Sequence, residues 1–139
     1  MFIRIVHMIL RVCGVIALLL GITFWVNLPD DVLIPVHMLL GILVVLSLWT
    51  LGIAIATTRG GTIVLGVAAL VWGMLVIALG LTQTRILVDP SAHWMIQILH
   101  LLLGVGAIGF GETIARRYGR INNGKLQESQ SDTSDQLTA

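Results

Sequence analysis

The side chains of this sequence whose type and spacing suggest chemistry are its four histidines, His7, His37, His93 and His100. Two of them sit in near-identical hexapeptides. VHMLLG covers residues 36–41 and LHLLLG covers residues 99–104, and each places a glycine four residues past the histidine. On a helix, positions four apart share one face. An imidazole can remain neutral in apolar surroundings, and a neutral imidazole is a ligand for haem iron or for another metal ion. Gly41 and Gly104, one turn from His37 and His100, would leave space beside such a ligand.

The pattern extends beyond the hexapeptides. His93, Gln97, His100, Gly104 and Gly111 recur at spacings of four, three, four and seven, which makes one stripe on one helix face. His37 and Gly41 continue through Val44 and Leu48, and Arg4, His7, Arg11, Gly14 and Gly21 form a similar line near the N-terminus. A single His-x-x-x-Gly pair is readily explained by packing, since small residues let membrane helices approach and a neighbouring polar group can bond across the interface. Two copies on different segments, with His93 on the same stripe as one of them, favour a flat macrocycle: the imidazoles hold its metal and the glycines make room for its ring.

The elements that must position these residues follow from composition. Hydrophobic residues make up 57% of the 139 and charged residues 11%, too apolar a balance for a soluble domain of this size. The formal charge of +1 argues against nucleic acid as a partner. Apolar segments cover residues 2–26, 34–57, 62–81 and 92–115, each near or above the roughly 20 residues that cross a bilayer as a helix. No alternation of period two suggests a barrel. The expected fold is therefore all-α, an integral membrane four-helix bundle over residues 1–118 running up-down-up-down through short connections. The first segment resembles a signal peptide in its early arginines. The following WVNLPDD lacks a small-residue cleavage pattern, so a retained span is expected.

Arg4, Arg59, Arg116, Arg117, Arg120 and Lys125 fall on one side of the spans, and Asp30, Asp31, Asp89 and Arg85 on the other. The positive-inside rule then puts both termini in the cytoplasm, as for a protein of a prokaryotic inner membrane. Pro35 and Pro90 suit the first turns of the second and fourth helices. Residues 119–139 are polar and read as a disordered cytoplasmic tail. Cys13, the sole cysteine, can form no intrachain disulfide.

On VHMLLG, LHLLLG and RIVHMILRVCG (residues 4–14), the chain resembles the small four-helix membrane cytochromes b over residues 2–115. The resemblance implies haem b held by paired histidines on facing helices, here among His37, His93 and His100. It also implies electron transfer involving quinone or a partner redox protein, in a homo-oligomer or a subunit of a membrane redox complex surrounded by lipid.

Depth leaves the pairing open. At about 1.5 Å per residue, His37 lies about 33 Å from Arg59, His93 about 35 Å from Arg116, and His100 about 24 Å from Arg116. Depth favours His37 with His93, while burial and the repeated motif favour His37 with His100. His7 has no histidine at its own depth. It is a metal candidate only through a second subunit, and otherwise joins a polar cluster with Arg4, Arg11 and Glu112. Arg85, the one basic residue on the outer side, is the candidate partner for haem propionates or else pairs with Asp89.

Three alternatives remain. One is a pigment-binding accessory subunit, with single histidines on chlorophyll-type magnesium. Another is a cofactor-free structural protein. The third is a histidine-only zinc site from His37, His93 and His100, with Gln97 as the nearby polar group. Proton-coupled transport is weakened because Glu112, the one carboxylate in any span, lies near an end. No nucleophile–base pair or H-E-x-x-H motif points to hydrolysis. Trp25 and Trp94 fall at the outer interface, and Trp49 and Trp72, at mid-span, are expected to pack.

Overall fold

The computed structural model describes residues 2–26, 31–82 and 93–138. They form four helices, α1 (Phe2–Val26), α2 (Leu33–Thr57), α3 (Ile63–Thr82) and α4 (His93–Thr138). Each has a stretch long and apolar enough to cross a membrane. The first three bounds fall within one residue of those read from the apolar runs.

Turn chemistry sets the junction of α2 and α3. The Thr57 hydroxyl donates to the Ile53 carbonyl at 2.9 Å and the Thr58 hydroxyl to the Ala54 carbonyl at 2.7 Å. These are i to i−4 back-bonds, in which the threonine hydroxyls turn onto the helix's own carbonyls rather than toward the apolar surroundings. The Gly61 amide then donates to the Thr58 carbonyl at 2.8 Å. Gly60 has φ +83°, a left-handed conformation that a side chain disfavours.

The fourth helix is longer than expected. Residues 119–138, read from composition as a disordered tail, continue α4. Pro90 is the last proline, and glutamine, glutamate and lysine are good helix formers. From Asn123 onward the described side chains are exposed, so the extension adds little to the core.

Helices α2 and α4 each touch all three others, whereas α1 and α3 do not meet among the described residues. The section is thus a rhombus whose short diagonal is α2–α4. Its largest fully buried side chains are Leu10, Val45, Leu48, Leu51, Ile55 and Ile114. Small residues bring the helices close at several seams. Leu10 seats on Gly111, Ile108 on Gly14, and Gly52 meets Gly66 and Ala69.

The two mid-span tryptophans pack, as expected, and also hydrogen-bond. Trp49 lies on Gly73 and donates from Nε1 to the Leu70 carbonyl at 3.1 Å, joining α2 to α3. Trp72 lies on Gly106, donates to the Leu103 carbonyl at 3.0 Å and stacks on Phe110 at 5.8 Å, joining α3 to α4. Away from the core the helices present large apolar side chains outward, among them Leu19, Val64, Met74 and Leu102.

Candidate functional site

The short diagonal brings two of the histidines together. The His37 and His100 ring centroids are 6.3 Å apart with planes inclined at 53°. His37 leans on α1: its ring lies beside Gly21, contacts Phe24 edge-on at 5.6 Å, and hydrogen-bonds to the Ala17 backbone. His100 leans on α3, where its Cε1 would be 3.3 Å from a Cβ placed on Gly80. Each ring thus rests on a glycine of a flanking helix. The Nδ1 atoms of His37 and His100 are both buried without a hydrogen-bond partner.

Helical spacing puts Gly41 on the face of His37, Val44 and Leu48, and Gly104 on the face of His100 and Ala107. Val44, Leu48 and Ala107 are buried. Yet a Cβ on Gly41 or Gly104 would meet no heavy atom within 4 Å. Both glycines are half-buried, so the space beside each is open to a neighbouring group.

The two pairings left open by depth receive different support. His100 meets His37, although the reckoning from arginines set them about 9 Å apart along the helices. Arg59 and Arg116 are poor markers of a common depth. Arg59 lies in the turn beyond the end of α2, whereas Arg116 lies well inside α4, and a long side chain reaches along the helix to a polar boundary. His93 is the first residue of α4, but its side chain lies outside what is described, as does Arg85 altogether. Among the described residues no group of three or more His, Cys, Asp or Glu could hold a metal ion.

His7 belongs to a second cluster. Its Nε2 is 3.0 Å from Glu112 Oε1, Arg11 Nε is 2.6 Å from the same oxygen, and Arg116 Nε is 3.8 Å from Oε2. The His7–Glu112 approach is close without hydrogen-bond alignment, since Nε2 is also buried with no bonded partner. Arg4, expected in this cluster, makes no contact with Glu112 of that kind among the described residues. His7 is ten residues from Ala17, about 15 Å along α1, so the two clusters are separate.

Phe24 and Gly80 escaped the sequence reading. Phe24 continues the small stripe Ala17–Gly21 one turn on, which was a usable signal. Gly80 carries none, because its role depends on how α3 sits against α4.

Comparison with protein-family models, with characterised proteins and with solved structures finds no match.

Proposed function

We propose that this chain is an integral membrane electron carrier that holds one b-type haem between His37 and His100. In this reading the four helices span the membrane up-down-up-down with both termini cytoplasmic. Its donor and acceptor are a quinone and a partner redox protein, or one of these in both roles.

The observation that carries the proposal is the pair of buried, unpartnered Nδ1 atoms on imidazoles 6.3 Å apart across the central helix pair. A buried polar atom left without a partner costs about 1–3 kcal/mol. Ligation of a metal by both nitrogens would remove that cost on both sides. His37 and His100 would hold the metal through these nitrogens, one from each side of the central helix pair. The open space at Gly41 and Gly104 is where a macrocycle would extend.

Bound haem would supply a one-electron couple at its iron. The chain's own residues do the rest. The Ala17 backbone accepts a hydrogen bond from the His37 ring and so holds its orientation. Phe24 screens that ring, and Gly21 and Gly80 let the imidazoles seat against α1 and α3. The alternative of a single-ligand pigment site rested mainly on the difference in depth between the histidines, and the 6.3 Å ring separation supports the paired reading over it.

The test is the visible spectrum of detergent-purified protein from haem-replete cells, oxidised and then reduced with dithionite. A sharp reduced α band is expected, lost in both His37→Ala and His100→Ala at unchanged helix content. A spectrum without that band refutes the proposal, and a long-wavelength band replaces haem with a pigment. A band that survives His100→Ala but not His93→Ala moves the second ligand to His93.

A further inference from the structure

At the end of the bundle opposite the histidine pair, a groove of about 550 Å³ opens between α1, α2 and α4. Its polar lining includes Arg4, Thr50, Tyr118 and Asn122, and its apolar lining includes Phe2 and Ile53. Three basic side chains converge nearby on one carboxylate, Glu112. Arg4 has no carboxylate partner among the described residues. The groove therefore holds an uncompensated positive charge next to hydrogen-bonding groups, with an apolar wall alongside.

We infer that this groove binds an anionic phospholipid, its phosphodiester facing Arg4 and Asn122 and an acyl chain lying along Phe2 and Ile53. A guanidinium recognises a phosphate through paired N–H donors, and a tyrosine hydroxyl and asparagine amide add neutral ones. Phe2 is 65% and Ile53 54% exposed, so an occupant that stopped at the phosphate would leave that wall uncovered. An amphiphile satisfies both parts of the lining. Arg59, Arg116, Arg117, Arg120 and Lys125 cluster at the same end. They raise the local concentration of anionic lipid without defining a site. The inference rests on the membrane reading and is independent of the haem.

The experiment is thermal unfolding of the full chain in neutral detergent, titrated with phosphatidylglycerol or with phosphatidylcholine. A ligand that binds only the folded chain raises its melting temperature, increasingly so as its concentration exceeds its Kd. Phosphatidylglycerol is expected to stabilise and phosphatidylcholine not to. Arg4→Gln should weaken the apparent affinity about fivefold, the effect of one basic residue on an anionic headgroup. Arg120→Gln, at the same end but outside the groove, should weaken it less than Arg4→Gln does.

Arg4 is exposed and has no ion-pair partner among the described residues, so its variant should unfold as the parent does without lipid, and Asn122→Ala provides the same reading from α4. Equal stabilisation by both lipids overturns the inference. So does an Arg120→Gln loss as large as that of Arg4→Gln, or glycerol 3-phosphate acting as well as the lipid. Failure of the membrane reading looks different: an alkaline wash would then release the chain from the membrane fraction.

Discussion

Adding one methyl group two residues apart on α4 should change stability in opposite directions. In Gly104→Ala the new Cβ meets no heavy atom within 4 Å, so the dominant effect is helix propensity, a gain of about 0.5–1 kcal/mol. In Gly106→Ala the Cβ overlaps the Trp72 indole, with Cε2 at 3.0 Å among the atoms struck. That ring cannot yield freely, because it is bonded to the Leu103 carbonyl at 3.0 Å and stacked on Phe110. Overpacking costs about 1–3 kcal/mol, and loss of an interhelical hydrogen bond adds about 0.6 kcal/mol or more. Set against a propensity gain of up to about 1 kcal/mol, the net is roughly 1–3 kcal/mol of destabilisation. The two alanines should therefore differ by about 2–4 kcal/mol. The assay is reversible unfolding of cofactor-free protein in mixed micelles with increasing dodecyl sulfate, followed by tryptophan fluorescence and circular dichroism. Equal stability of the two variants, or a stabilised Gly106→Ala, would refute the packing argument. The proposed cofactor adds a further arm. Gly104→Leu should be tolerated by the cofactor-free chain but should reduce haem retention, because the leucine occupies the space meant for the ring.

Glu112→Gln removes the charge that Arg11 and His7 approach at 2.6 and 3.0 Å and should destabilise by about 1–2 kcal/mol. The Arg11→Gln, Glu112→Gln double variant should lose at least about 0.5 kcal/mol less than the sum of the singles, and strict additivity would show that the contact is not energetically coupled. Gly60→Ala should cost about 1–2 kcal/mol through its left-handed φ of +83°. A variant as stable as the parent in the same unfolding assay would mean that the turn relaxes to another shape.

What could be read in advance depended on whether a property is local. The helices were legible because apolar runs of this length satisfy their backbone polar groups internally as helices, and only their ends were left to turn residues such as Thr58 and Gly60. The cluster of Arg11, Glu112 and His7 was legible because a carboxylate inside a strongly apolar helix needs a partner and few were available. The choice between His93 and His100 was not local. It depended on the offset between α2 and α4, and the arginines used as depth marks sit in different settings, one in a turn and one inside a helix. Trp49 and Trp72 were read as packing residues, but their bonds to Leu70 and Leu103 were hidden, because a partner carbonyl on another helix leaves no trace in a side-chain pattern. The extension of α4 to Thr138 shows the reverse limit: a polar composition without proline permits a helix as readily as a coil.

The distribution of buried residues ties these observations together. Leu10 on Gly111, Gly52 on Gly66, and buried Ile55 and Ile114 close the half of the bundle nearest the α2–α3 turn. The Trp49–Gly73 and Trp72–Gly106 seams lock its middle. Beyond them, toward the start of α2, the inward stripe changes from leucine, valine and alanine to Gly41, Gly104 and two imidazoles, with open space beside the glycines. A bundle selected for stability alone would fill that space, because leaving it open forfeits contacts and strands the Nδ1 atoms of His37 and His100. The open half of the chain carries that cost. An occupant that contacts both stripes and bonds both nitrogens would recover it, so occupant binding and helix packing should be coupled. Unfolding of the loaded chain should therefore need more dodecyl sulfate than unfolding of the empty one, and the difference should vanish in His37→Ala.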